Sequence, residues 1–249
     1  MTQHSLDRKQ VKQFRQTGHL TVPQLFDSDT IQSVLDDLMI WSQEFLESLS
    51  EEEQQWYVEK TGDKTHRLRK LDNPAFHRES FSSLASHASL VPLIQQLIGT
   101  EAHLFFSQVF MKPPGVGGPK PIHQDNYYFG PDNLDATLTV WVALDDATPS
   151  NGCLHYCNQH QSEVLPHVAP KDEPFNLQIL GDLGNKLEMQ PVPIKSGGVS
   201  LHHGNTPHFS AANVSDQPRR AVAFHYLRND ARLVNSGLSY DPAMRMAIP

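Results

Sequence analysis

The rhythm of apolar residues changes at Gly99, and that change constrains the fold more than any other feature of the chain. Before it, apolar side chains recur at helical spacing. Leu6, Val11 and Phe14 lead to Gly18, with Ser5 placed to cap the run. Ile31, Val34, Leu35, Leu38, Phe45, Leu46 and Leu49 predict a second helix, starting near Ser28 or Asp29. Val91, Leu93, Ile94, Leu97 and Ile98 predict a third, with Pro92 in its first turn and Gly99 as its stop. After Gly99 the pattern becomes that of strands. Ala102 to Met111 is rich in aromatic and β-branched residues. Thr137 to Leu144 alternates, with Leu138, Val140, Val142 and Leu144 on one face and Thr137, Thr139, Trp141 and Ala143 on the other. Cys153–Tyr156, Val199–His203 and Ala221–Leu227 are further strands, and Gly197-Gly198 turns the chain before Val199. Helices followed by short strands predict a mainly β core with flanking α-helices. With no repeat and no linker, residues 1–249 read as a single domain: a helical part over about 1–100, a core over about 101–230 and a tail over 231–249. The turn-rich stretch from Pro170 to Lys195 reads either as a lid or as a surface excursion.

Composition narrows the classes of function. A chain of 249 residues, 38% hydrophobic and 19% charged, suits one globular domain of generous size. Its formal net charge of −8, with no stripe of basic residues, gives nucleic-acid binding no electrostatic support. No stretch approaches the ~18 apolar residues that span a bilayer. Residues Met1 to Lys12 are polar and lack the apolar core of a secretion signal, so a cytoplasmic protein is expected. Cys153 and Cys157, the two cysteines, are expected to be packed, reduced thiols rather than a disulfide or half of a zinc site. Glu51-Glu52-Glu53 reads as a solvated helix start.

The chemistry begins at His123-Gln124-Asp125. Residues i and i+2 of an extended segment point the same way, so an imidazole and a carboxylate can converge on one ion while Gln124 points away. Alone, a His-x-Asp carries little weight in a chain with 14 histidines. His208, beyond the Val199–His203 strand, and Arg219, which opens the next strand, strengthen it. Two histidines and one carboxylate occupy one face of an octahedral iron and leave three positions open. Those positions suit a chelating acid and dioxygen. A second acid group on the chelator needs a fixed cation, and arginine binds carboxylate bidentately.

Competing assignments surround this set. His202 and His203 rival His208, but the spacing to Arg219 selects His208 and leaves the other two as packed histidines at a strand end. Arg220 rivals Arg219. Alternation puts Arg219, Ala221, Ala223 and His225 on one face, with Arg220, Val222, Phe224 and Tyr226 opposite, and the small residues beside Arg219 leave room for a ligand. Tyr127 and Tyr128 are candidate substrate contacts, with simple packing as the alternative. His77-x-Glu79 has nothing downstream to complete it and reads as a helix surface.

These residues, with others in order, resemble the phytanoyl-CoA dioxygenase-like family of iron(II)/2-oxoglutarate oxygenases. The resemblance is carried by Phe14-Arg15-x-x-Gly18, Lys112-Pro113-Pro114-Gly115, His123-Gln124-Asp125 and Trp141-Val142-Ala143-Leu144-Asp145-Asp146. It continues through Asn151-Gly152-Cys153-Leu154 and from His202-His203-Gly204 to Arg219-Arg220, spanning residues from about 6 to 228. It implies a double-stranded β-helix, the cupin-like jelly-roll barrel of this class. It implies Fe(2+) held by His123, Asp125 and His208, with 2-oxoglutarate as co-substrate. By the same carry-over Arg219 and Ser210 bind the distal carboxylate of 2-oxoglutarate, Gln108 and Trp141 line its pocket, and Lys70 makes a more distant contact. The implied reaction hydroxylates a C–H bond of a small molecule with O2, releasing succinate and CO2.

Related halogenases lack the metal-binding carboxylate, so the presence of Asp125 argues against halogenation. One departure stands out. Where family members commonly carry Pro-Gly-Ser-His, this chain reads His155-Tyr156-Cys157-Asn158-Gln159-His160, so substrates do not transfer from better-known relatives. Two other readings compete. A non-oxidative metal cupin, an isomerase or lyase, would not need Arg219. An inactive binding protein on the same fold would not need the full set of His123, Asp125, His208 and Arg219.

Overall fold

The computed structural model describes residues 5–59, 67–159, 161–170, 176–237 and 240–249. Its first helix, α1 (Arg8–Thr17), is capped by Asp7 rather than Ser5. A capping box needs Gln or Glu three residues after the cap. Gln10 supplies this for Asp7, and the two exchange hydrogen bonds of 2.8 and 2.9 Å, whereas Ser5 is followed by Arg8. Gly18, left-handed at φ 78°, ends the helix and feeds strand β1 (His19–Val22). Asp27 caps α2 (Ser28–Ser48), and Ser50 caps α3 (Glu51–Tyr57), whose three glutamates are exposed as expected. Strand β2 (Lys70–Asp72), α4 (Pro74–His77), α5 (Glu79–Ala85) and α6 (Val91–Ile98) follow. His77 and Glu79 lie exposed on this helical surface. Arg78 pairs with Asp37 and, at 3.1 Å, with Glu44, fastening α5 to α2.

The remaining elements are β3 (Ala102–Lys112), β4 (Lys120–His123), α7 (Asp125–Phe129), β5 (Thr137–Ala143), β6 (Leu154–Cys157), β7 (His167–Val168) and β8 (Gln178–Ile179). After them come α8 (Gly181–Gly184), β9 (Met189–Val192), β10 (Val199–His203), β11 (His208–Ser210), β12 (Arg219–Arg228) and β13 (Met246–Ala247). Among the described residues, a seven-stranded sheet runs β1-β10-β5-β12-β3-β13 with β2 also on β3, and a four-stranded sheet runs β4-β11-β6-β9. All pairings are antiparallel. Together they form the jelly roll of the double-stranded β-helix class. Among the described residues no strand of one sheet pairs with a strand of the other; an isolated bridge, Ala147–Ile194, links the chain just beyond β5 and β9, and no closed barrel forms.

Alternation along each strand serves two interiors. Leu138, Val140, Val142, Val222, Phe224 and Tyr226 face outward and pack under Ile31, Val34, Leu38, Phe81 and Ile94 of the helices. Burying each such side chain contributes roughly 1.5–3 kcal/mol. Trp141, Ala143, Ala221 and Ala223 face the other way, toward Leu154 and Tyr156 of the small sheet. That second interior holds the site.

Several sequence expectations are corrected. The N-terminal third contains β1 and β2, which are too short to show an alternating pattern. The stretch from Pro170 to Lys195 is neither pure lid nor pure excursion, because β9 joins the small sheet beside β6; residues 171–175 lie outside the described residues. Within the tail, β13 pairs with β3 and Ile248 is buried. Cys153 and Cys157 are buried free thiols, as expected. No helix among the described residues is long and apolar enough to cross a membrane.

Candidate metal centre

Two neighbouring strands and the turn beyond one of them bring the candidate ligands together. His123 closes β4 and His208 opens β11, and the two are register partners, so their rings lie side by side at 4.2 Å between centroids. Gln124 keeps the chain extended (φ −121°, ψ 134°), which returns Asp125 to the side of His123 before α7 begins. The ligand atoms of His123, Asp125 and His208 all lie within 4.8 Å of one another, and all three residues are buried. Asp125 Oδ1 is 3.6 Å from His123 Nε2 and 3.7 Å from His208 Nε2. Those gaps are too long for hydrogen bonds. They are shorter than the ~4.2 Å that would separate ligands on opposite sides of an ion with bonds of about 2.1 Å.

The donor set fits a divalent ion. Each histidine is tied through Nδ1 to a backbone carbonyl, His123 to Pro121 at 2.8 Å and His208 to Thr206 at 2.9 Å, which leaves Nε2 as the free lone pair aimed inward. Burial, reinforced by each other's proximity and by Lys120, pushes His123 well below the usual histidine range. Burial, then His202, brings His208 down to about 4. Both rings are therefore neutral at physiological pH, the form a metal requires. Burial alone would raise the Asp125 carboxyl. His208, His202 and His225 outweigh it and hold the group well below the usual carboxylate range.

Across the interior, Arg219 at the start of β12 is buried, with its guanidinium carbon 5.8 Å from the Trp141 ring centroid. Nη1 reaches the Phe110 carbonyl at 3.4 Å, while Nε is buried without a partner among the described residues. A buried donor left unpaired is costly, and a carboxylate would satisfy it. Burial lowers Arg219 to about 10, so it stays charged at neutral pH. Arg220 points the other way and is held by Asp145 at 2.7 and 2.8 Å.

The other residues singled out from sequence divide. Ser210 shares the face of His208, is buried, and its hydroxyl bonds to no described residue. Gln108, Ala223 and Trp141 form one cross-strand row on the interior face. Gln108 and Lys70 are both tied to Asp72, at 2.6 and 2.9 Å, and Lys70 also lies over Tyr57. Tyr128 is buried with its ring edge against His123, 5.6 Å away, and its hydroxyl accepts from Lys120 at 3.0 Å. Tyr127 stacks on His167 at 4.1 Å, so its ring is engaged in packing. Gln124 does point away, bonding Glu163, Leu165 and Asn205.

Other residues of the site were not picked out from sequence. His202, expected to be a packed histidine, donates from Nε2 to Asp125 Oδ2 at 3.0 Å, and Thr139 donates to the same oxygen at 2.6 Å. The signal for Thr139 was its position on the face of Trp141; that for His202 lay in strand pairing, which spacing does not reveal. Lys112, the register partner of Arg219, is buried with its Nζ donating to the Gly118 carbonyl. Burial and then Arg219 push it down to about 6, which leaves Arg219 as the charged member of the pair. Tyr240 of the tail packs among Phe105, Phe106 and Phe129, with its hydroxyl buried and unpaired among the described residues.

Comparison with known proteins follows the same lines. A probable alpha-ketoglutarate-dependent hypophosphite dioxygenase of Stutzerimonas stutzeri is 27% identical over 232 residues, 90% of this chain and 79% of that protein. The phytanoyl-CoA dioxygenase domain-containing protein 1 of Danio rerio is 31% identical over 180 residues, 70% of this chain and 58% of that one. Among solved structures, the non-heme alpha-ketoglutarate-dependent carbocyclase SnoK superposes with a TM-score of 0.75 at 21% identity, covering 98% of this chain and 97% of that chain, a likeness of fold. The model of the phytanoyl-CoA dioxygenase (PhyH) family matches residues 14–221, a span that holds every candidate metal and co-substrate residue above, and the chain belongs to that family of iron(II)- and 2-oxoglutarate-dependent oxygenases.

Proposed function

We propose that this single-domain protein, with the cytoplasm as its compartment, hydroxylates a C–H bond of a small molecule, and that His123, Asp125 and His208 hold its iron(II). The observation that carries the reading is the convergence of two Nε2 atoms and Oδ1 within 4.8 Å on the interior face, with a buried, half-satisfied arginine on the same face of the fold. Bound iron, 2-oxoglutarate and O2 supply the oxidising power, with succinate and CO2 as co-products. The residues supply the rest. Arg219 and Ser210 take the distal carboxylate, Trp141 and Gln108 wall the co-substrate, and Lys70 contributes at longer range beside Asp72. Tyr128, against His123, contacts the substrate, and Tyr127, whose ring is stacked on His167, is the weaker candidate for such a contact.

A small anion is the substrate class with most support. Lys120 sits on the strand of His123 with its Nζ on the Tyr128 hydroxyl, and burial brings it down to about 7, so an anion seated beside it would favour its protonated form. The relative from Stutzerimonas stutzeri is named for a small phosphorus oxyanion. Neither nucleic acid nor membrane is needed by this reading.

Succinate formation from 2-oxoglutarate by the iron-loaded protein under air tests the reaction class. Turnover that rises when a candidate small anion is added supports it. Absence of both 2-oxoglutarate binding and turnover would favour a non-oxidative metal enzyme and overturn it.

A further inference from the structure

The two oxygens of Asp125 keep different company. Oδ1 faces the two candidate histidine ligands at 3.6 and 3.7 Å. Oδ2 is turned to the large sheet, where it accepts from Thr139 Oγ1 at 2.6 Å and His202 Nε2 at 3.0 Å. The network gives each of these bonds a direction. Ser200 Oγ donates to the Tyr156 hydroxyl at 2.8 Å, and Tyr156, with one proton to give, meets His202 Nδ1 at 2.9 Å. An imidazole that accepts at Nδ1 carries its hydrogen on Nε2, which is the atom aimed at Asp125. On the other side, Thr139 has one proton and gives it to Oδ2, so its lone pairs accept from His225 Nδ1 at 2.9 Å. Ser200, Tyr156, His202, Thr139 and His225 are all buried, so their hydrogen bonds act in a low-dielectric interior where each one counts for more.

From this geometry we infer that His202, oriented by Tyr156, and Thr139 are positioning residues that confine Asp125 to one-oxygen ligation. The inference rests on the reading that Asp125 is an iron ligand. A carboxylate can bind an ion through one oxygen or two. A three-residue face leaves three positions open, and a chelating co-substrate with dioxygen fills all of them. An Asp125 free to swing Oδ2 inward would take one of those positions. Two hydrogen bonds from fixed donors prevent the swing. They also place the plane of the carboxylate before any ion arrives, which is how outer hydrogen-bond partners act on metal sites.

The test uses the full chain, prepared metal-free, and the variants His202→Leu, His202→Gln, Thr139→Val, Tyr156→Phe and the double variant His202→Leu/Tyr156→Phe, with His208→Ala as the ligand control. Iron(II) affinity is measured by competition with a chromogenic chelator. Binding of 2-oxoglutarate to each iron-loaded protein is then titrated under argon by visible absorption. His202→Leu and Thr139→Val are expected to lose roughly 10–100-fold in metal affinity, and to bind 2-oxoglutarate more weakly once loaded. His202→Gln, which keeps an N–H donor, should recover much of the loss. Tyr156→Phe should show a smaller loss that adds nothing to His202→Leu, because it acts only through that ring. Should His202→Leu fail to fold, Thr139→Val and Tyr156→Phe decide the question alone. Wild-type affinities for iron and 2-oxoglutarate in His202→Leu and Thr139→Val, or full additivity of Tyr156→Phe, would overturn the positioning role. Unchanged iron affinity in His208→Ala would instead overturn the ligand assignment beneath it.

Discussion

At the scale of single residues, the two adjacent arginines give the sharpest contrast. Arg219 and Arg220 are neighbours of identical chemistry, yet one is buried with an Nε unpaired among the described residues and the other is clasped by Asp145 on the opposite face. Arg219→Ala is expected to raise the 2-oxoglutarate concentration needed for half-maximal succinate formation by tenfold or more, on the scale of about 1.4 kcal/mol or greater for a lost charge-assisted pair. Iron affinity should change little. Arg220→Ala should leave that concentration near wild type and show its cost as a lower melting temperature. An inverted result would mean that the wrong guanidinium had been assigned. Strand alternation alone separated these two residues in the sequence, because Ala221 and Ala223 mark the roomy face and Val222 and Phe224 the packed one. His202 was not legible in the same way. Its importance comes from lying across β5 and β10 from Thr139, and cross-strand register is not written in local spacing.

Elements fix what residues cannot fix alone. The long helices and the strands β5, β10 and β12 were readable because each repeats its apolar period often enough to stand out. β1 and β2, of four and three residues, were not, since so short a segment carries no period and is recruited by the edges of a sheet formed elsewhere. The segment after β6 shows how a site motif can organise a distant loop. Gln124, sandwiched between two candidate ligands in sequence, turns its amide outward and bonds the Glu163 carbonyl at 3.0 Å, the Asn205 carbonyl at 2.6 Å and the Leu165 N–H at 2.7 Å. Gln124→Leu is expected to leave His123 and Asp125 on their backbone but to release residues 161–168. Hydrogen exchange at Leu165 and limited proteolysis of that stretch should both speed up. Unchanged protection there would show that β7 and β8 hold the segment by themselves. Gly204 has a related duty at the end of β10. Any side chain there would collide with Asn126 and Thr137, so the strand can approach α7 closely only with glycine.

Across the whole molecule, buried neutral histidines make stability depend on acidity. His208 and His225 are each lowered from 6.5 to about 4, in both cases first by burial. The unfolded chain takes up protons on these rings as pH falls through 6.5, while the folded metal-free protein does not until about 4. Unfolding is therefore favoured progressively in that window, and the stabilisation is complete only above it. Thermal melts of the metal-free protein followed by circular dichroism should show the midpoint falling steadily as pH drops from 6.5 toward 4. A midpoint that stays level would mean these rings titrate normally in the fold.

The candidate ligands and the residues bonded to them come from opposite halves of the sandwich: His123 and His208 from the four-stranded sheet, Thr139, His202 and His225 from the seven-stranded one, with Asp125 touching both. An ion seated there would act as a rivet through the two layers, so loading couples to the cohesion of the entire core and not only to catalysis. Iron(II) or an inert surrogate at about 100 times its dissociation constant would add about 2.7 kcal/mol, a rise of roughly 5–10 °C in melting temperature for a chain of this size. Chelation would then loosen the layers themselves, and the enzyme stripped of its ion would be the form most exposed to proteolysis.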